Sequence, residues 1–299
     1  MSIRLKVCTI VLLLLPAFSY AETTLKWIGC GITKHAFMKE LSVAYEAKTG
    51  VKIAIEGGGA TRGIHEAHNM QTDADMGGTC RFLTAEEHDT IHGVQFLPIA
   101  WDALVIIVHK NNPVENMTMA QLRALYRGEI TNWKQLGGPD RPLKLFIRKG
   151  KTSGVGATLR KLVFHNPKVE FVSPHVFKSS GPLEQALEKD EDAIAVTGIS
   201  SARRRNLKIL NLEGKNPSYA AIKDGEYILY RPLYLAVNIR KPHYDDVMTF
   251  IEFARSEEGK AIIRKSGCVP YHDGYKLITT YLQQMRSANR AIYNLTPAR

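Results

Sequence analysis

Apolar and polar positions fall into short blocks along this chain, and the blocks alternate between helical and strand period. From Thr33 to Lys48 the apolar residues Ala36, Phe37, Leu41, Ala44 and Tyr45 recur at helical spacing. Thr33 as N-cap and Gly50 just past the end predict a helix there. Val51 to Ile55 then alternates as a strand, a second helix is predicted to begin near Thr61, and Thr84-Ala85-Glu86-Glu87 has capping-box spacing for a third. Phe96 to Val108 is a long apolar strand region interrupted by Asp102. A second capping box at Thr118-Met119-Ala120-Gln121 predicts a helix through Tyr126. Leu143 to Ile147 reads as a strand and Ala157 to Phe164 as a helix, with a basic loop between. Pro182 marks a helix start, Ala193 to Val196 and Leu207 to Leu212 read as strands, a short helix lies near Ser218, and Tyr227 to Val237 is strand-like. Val247 to Lys265 and Tyr275 to Tyr293 predict two long amphipathic helices, separated by Gly267 and Pro270. The alternation, without internal repeat or low-complexity linker, predicts layered α/β architecture with ligands at the carboxyl ends of strands.

Three loops add chemistry to this pattern. Gly29-Cys30-Gly31-Ile32-Thr33-Lys34, Gly57-Gly58-Gly59-Ala60-Thr61-Arg62 and Arg148-Lys149-Gly150-Lys151-Thr152-Ser153-Gly154 each join a strand to a helix start with Gly, hydroxyl and basic residues. Free N–H groups of a helix's first turn and the positive end of its dipole favour an anion, and Arg or Lys adds charge-assisted hydrogen bonds. The formal net charge of +11 agrees with an anionic partner.

The start of the chain predicts export. Arg4 and Lys6 precede an apolar run, Val7 to Leu15, closed by Pro16 and by the small-x-small signal Ser19-Tyr20-Ala21. A signal peptide of residues 1–21, cleaved after Ala21, and a soluble periplasmic chain are expected. Export and the lack of long basic blocks argue against nucleic acid. Three cysteines follow the cleavage point, Cys30, Cys80 and Cys268, none in CxxC spacing. His65 and His68, three apart in a polar stretch without a third ligand, read as a solvated face and not a metal site. Trp133 reads as a packing anchor and Arg203-Arg204-Arg205 as an exposed run.

Gly128-Glu129-Ile130-Thr131-Asn132-Trp133 resembles the G-K-I-T-N-W segment of phosphate-specific ABC transporter binding proteins. In matching order stand GGGATRGI at 57–64, DADMGGTCR at 73–81, Asn111-Asn112-Pro113-Val114, Arg148 before Thr152-Ser153-Gly154, Ser179-Ser180-Gly181 and Arg231-Pro232-Leu233-Tyr234. The resemblance spans nearly all the chain after residue 21. It implies a type II periplasmic binding fold, α/β, with two lobes closing on a ligand at a hinge: residues 22–100 plus 232–299 in one, 101–231 in the other. It implies a monomer without cofactor or catalysis that hands a small oxyanion, phosphate favoured, to an inner-membrane ABC permease. The matching ligand loops are Gly31, Ile32 and Thr33; Ala60, Thr61 and Arg62; Asp75 to Arg81, with Thr79; and Arg148 to Gly154, with Thr152 and Ser153. By the same match Asp75 accepts a hydrogen bond from a protonated phosphate oxygen, Arg148 neutralises charge and Ser153 donates its hydroxyl.

The departures from the family pattern bear on the ligand. Ala60 replaces a usual Ser, Cys30 and Cys80 stand where small or hydroxyl residues are common, and the 148–154 loop is one residue longer. The family fold puts Cys30 and Cys80 in cleft loops of one lobe, which implies a Cys30–Cys80 disulfide with Cys268 free, or a thiolate site for a soft metal or metalloid. These departures motivate a second expectation, a sensor or accessory protein with altered specificity for a soft metalloid or another anion. An enzyme such as a phosphatase is disfavoured, since the loops contain no metal cluster and no nucleophile–base pair.

Overall fold

An apolar run too long to be half-buried must sit in the middle of a sheet, and the run read from Phe96 does so. In a computed structural model describing residues 23–81 and 83–293, it forms the strand Val94–His109, buried without interruption from Ile99 to His109. In chain order the strands are β1 (Thr24–Gly29), β2 (Lys52–Gly57), β3 (Met76–Thr79), β4 (Val94–His109), β5 (Asn116–Met117) and β6 (Lys144–Arg148). They continue with β7 (His175–Phe177), β8 (Ala193–Gly198), β9 (Leu207–Ile209), β10 (Asn211–Leu212), β11 (Tyr230–Asn238) and β12 (Val269–Pro270). The main path is β2-β1-β3-β11-β4-β8-β6-β7, with β9 and β12 also on β4 and a separate β5–β10 pair.

The pairing of β4 divides this sheet. Val94 to Ala103 runs antiparallel to β11, while Leu104 to His109 pairs with β8 and β9. On one side β1 is parallel to β2 and β3; on the other β6 is parallel to β7 and β8. The result is the two-lobe type II arrangement expected from the sequence, with β4 running through both halves. Trp101 lies where the pairing changes. Its ring stacks on Tyr271 with centroids 5.1 Å apart, its edge meets Tyr230, and its Nε1 donates to the Tyr271 carbonyl at 3.1 Å.

The capping boxes at Thr84 and Thr118 are closed in both directions, and the helix Tyr275–Tyr293 has the predicted bounds. Three expectations change. The helix read from Thr33 starts at Gly31, is capped by the Cys30 sulfur instead of Thr33, and passes through a π segment, Lys34–Met38, before Lys39–Thr49. Val247 to Lys265 is two helices, Tyr244–Arg255 and Glu257–Lys265, because Ser256 turns extended and its hydroxyl accepts from Gly259 N as a new N-cap. Leu207 to Leu212 is split between β9 and β10, which join different sheets.

The signal peptide assigned to residues 1–21 lies outside the described residues. Among the described residues no helix is long and apolar enough to cross a membrane.

Candidate anion cleft

Parallel strands in each half end on the same side, and five of these ends lead into helices. β1 leads to Gly31–Thr33, β2 to Gly59–His68, β6 to Gly154–Leu162, β7 to Ser180–Leu187 and β8 to Ile199–Ala202. Their first-turn N–H groups have no acceptor within the helix. The helix starts meet across the two halves: Gly59–His68 touches Gly154–Leu162, and Gly31–Thr33 touches both Ser180–Leu187 and Ile199–Ala202. Close approach at Gly154 decides how tightly. A Cβ there would overlap Cys80 Sγ and stand 3.6 Å from Ala60 Cβ, so the two halves are in contact through a missing side chain.

Two guanidinium groups in this junction have a buried nitrogen without a hydrogen-bond partner. Arg148 Nη1 donates to Ser180 Oγ at 2.5 Å and Nη2 to the Lys178 carbonyl at 2.9 Å, while its buried Nε has no partner. Burial pulls the Arg148 pKa down despite nearby Cys80, Cys30 and Glu184. Arg231, on β11, is almost wholly buried. Its Nη1 donates to Thr158 Oγ1 and its Nη2 pairs with Asp102 Oδ2 at 3.4 Å, but its Nε too is unpartnered. Burial opposes the Arg231 charge, yet Cys80, Asp102 and Cys30 together hold its pKa above the ordinary value. Asp102 Oδ1 accepts from Ser200 N and Oγ and from the Cys268 thiol. Burial pushes the Asp102 carboxyl up in pKa against the pull of Arg231 and Ser200.

The sequence-predicted residues divide. Gly31, Ile32, Thr33, Ala60, Thr61, Ser153 and Gly154 lie at the meeting helix starts, and Arg148 lies beside them. Arg81 is structural: Nε donates to the Thr152 carbonyl at 2.8 Å, Nη2 to Thr61 Oγ1 at 2.9 Å, and both η nitrogens to Glu87. It ties the two halves together, as does Thr152 through that carbonyl. Thr79 Oγ1 donates to the Arg81 carbonyl and accepts from Arg81 N, which fixes the turn. Arg62 points out to Glu56 and Glu66.

Asp75 is corrected. It sits before the amino end of β3, where its oxygens accept from Lys26 N at 2.7 Å and meet His243 Nδ1 at 2.9 Å. At about 3.3 Å per strand residue it is roughly 16 Å from Cys80, at the opposite end of β3. The carboxylate that pairs with a cleft arginine is Asp102, on β4. Asp102, Arg231, Thr158 and Ser180 were not among the predicted site residues. A usable signal existed for the first two, a charge within an otherwise apolar strand run.

The proposed disulfide is corrected as well. Cys30 and Cys80 are free thiols whose sulfurs are hydrogen-bonded across 3.3 Å. A bond would need about 2.05 Å, and the Cys30 sulfur is held back as a helix cap, accepting from Thr33 N and 3.2 Å from Thr33 Oγ1. Burial alone would raise the Cys30 pKa, but hydrogen bonds from Cys80 and Thr33 and the Arg231 charge bring it down to about 6. The hydrogen bond with Cys30, and then burial, push the Cys80 thiol up.

A family model described as a PBP superfamily domain matches residues 30–258, which include every loop of this cleft. The chain belongs to the PBP superfamily. Among curated relatives of this superfamily member, the phosphate-binding protein PstS of Borreliella burgdorferi is 27% identical, over 80% of this chain and 88% of its own. A candidate phosphate ABC transporter substrate-binding protein from Clostridium perfringens, solved with bound phosphate, superposes with a TM-score of 0.75 at 26% identity, covering 83% of this chain and 99% of that one. An ABC-type phosphate transport receptor from Vibrio cholerae gives 0.62 at 28% identity, over 82% and 99%.

Proposed function

We propose that this PBP superfamily member captures inorganic phosphate, or a similar tetrahedral oxyanion, between its lobes and presents the closed form to an inner-membrane ABC permease. The observation that carries this reading is a pair of arginines, each with a buried and unpartnered Nε, beside helix starts from both halves. An oxyanion satisfies these donors together, and the phosphate-binding relatives support that choice of anion. The lobes in this reading are residues 22–100 with 232–299, and 101–231. Ligand contacts come from the 31–33, 60–61 and 153–154 backbone, Ser153 Oγ, Arg148 and Arg231. Binding and release by hinge motion require no covalent step, and the working form is an exported monomer in the periplasm.

Calorimetry with phosphate at neutral pH tests the reading, with binding and a rise in thermal midpoint expected. No heat and no thermal shift up to millimolar phosphate would overturn it. A second reading, a sensor or accessory protein with altered specificity, is favoured by Ala60 in place of a usual Ser and by Cys30 and Cys80 where small or hydroxyl residues are common. Binding of another anion in place of phosphate would select it.

A further inference from the structure

The two thiols at the cleft have a geometry of their own. Cys30 and Cys80 are 6% and 2% exposed, their sulfurs are 3.3 Å apart, and Gly154 from the facing half packs on Cys80 Sγ. Thiolates are soft ligands, ill suited to phosphate but strong toward thiophilic centres. Sulfur–sulfur separation distinguishes among such centres. With bonds of about 2.3 Å, a linear two-coordinate cation would need sulfurs about 4.6 Å apart, whereas a pyramidal centre with bonds near right angles needs roughly 3.2 Å.

We infer that Cys30 and Cys80 form a dithiol site for a trivalent pyramidal oxyacid of the arsenous acid class, within the cleft that the arginines line. In the step, two S–H bonds and two As–O bonds break and two As–S bonds form. The released hydroxyls take the thiol protons and leave as two waters, so arsenic stays trivalent and no oxidant is needed. One As–OH remains. The unpartnered Nε–H groups of Arg231 and Arg148, whose charges act on both thiols, supply donors for that oxygen. Cys30, whose ionisation its neighbours favour, attacks first and passes its proton to the departing hydroxyl, and Cys80, 3.3 Å away, closes the chelate. Cys268 is buried behind Asp102 and takes no part. The inference rests on the thiols and does not depend on phosphate capture.

The test uses the full chain as exported, reduced, freed of reductant and shown by alkylation under denaturing conditions to carry its thiols. Sodium arsenite is then added and the intact mass measured under native conditions. One adduct per chain is expected, with the mass of arsenous acid less two waters, reversed by a small dithiol. Cys30→Ser and Cys80→Ser should each lower arsenite affinity at least tenfold, while Cys268→Ser keeps the adduct; circular dichroism of each variant shows whether it is folded. An unmodified mass with the thiols free would overturn the inference. So would an adduct of unchanged affinity in folded Cys80→Ser, or one lost only in folded Cys268→Ser. Phosphate calorimetry on the same wild-type sample separates the two proposals: arsenite without phosphate binding sinks only the phosphate reading, and the reverse sinks only this one.

Discussion

Arg148 and Arg231 each keep a buried Nε–H without an acceptor, a cost that a bound anion removes. Arg148→Ala should therefore weaken phosphate binding by at least about 1.5 kcal/mol, as read by calorimetry. Arg62→Ala, whose guanidinium faces Glu56 and Glu66, should leave it unchanged. Equal losses would mean that overall positive charge, and not this cleft, holds the ligand. Arg231 also answers Asp102, so Arg231→Met should cost about 3–5 kcal/mol in urea unfolding by stranding a buried carboxylate, and adding Asp102→Asn should recover part of it. At Cys30 the folded pKa of about 6 lies below the thiol's ordinary value, so the thiolate contributes stability at alkaline pH that is lost as pH falls through about 6. Ultraviolet absorbance of the thiolate should rise through the same pH in wild type, and the step should disappear in Cys30→Ser.

At the scale of elements, the contact between the β3 turn and the helix Gly154–Leu162 depends on the absence of a side chain at Gly154. Gly154→Ala keeps the helix but drives a methyl into Cys80 Sγ, so it should hold the halves apart, increase the radius of gyration in X-ray scattering and reduce ligand affinity. Cys80→Ala in the same chain should restore closure, and failure of that rescue would remove the steric explanation. Which elements exist was largely legible from the pattern of apolar residues, because helix and strand periods are local properties: the run at 96–108, the capping boxes at Thr84 and Thr118, and the helix at 275–293 all have their counterparts. The break at Ser256 was not, since apolar periodicity continues across it and only the cap geometry shows it. The anion loops were legible as strand-to-helix junctions. Asp75 was misread because the match in order put it in a ligand loop although it precedes β3 and ligands gather at carboxyl ends of strands, and Asp102 and Arg231 become neighbours only through antiparallel register between strands far apart in sequence.

Across the whole molecule, the Arg203–Arg205 run that read as surface charge joins the two halves. Arg204 Nη2 donates to Glu40 Oε1 at 2.6 Å and to the His35 carbonyl at 3.1 Å, while Arg205 pairs with buried Glu184. Beside this latch, burial and then the charges of Arg204, Lys34 and Arg205 lower the His35 pKa to about 4 from an ordinary 6.5. The unfolded chain takes up that proton first, so stability should fall as pH drops from about 6.5 to about 4. Thermal midpoints across this range should show the loss, with a shallower slope in His35→Gln; an unchanged slope would assign the acid sensitivity to other groups. The stacking of Trp101 on Tyr271, at the point where β4 changes partners, gives the protein an optical gauge of its own. Any rotation of one half against the other alters the environment of that indole, whereas Trp133 is held within one half by its donation to the Asp192 carbonyl. Ligand-dependent emission should therefore persist in Trp133→Phe and be lost in Trp101→Phe, so that opening and closing can be timed by stopped flow without attaching a dye.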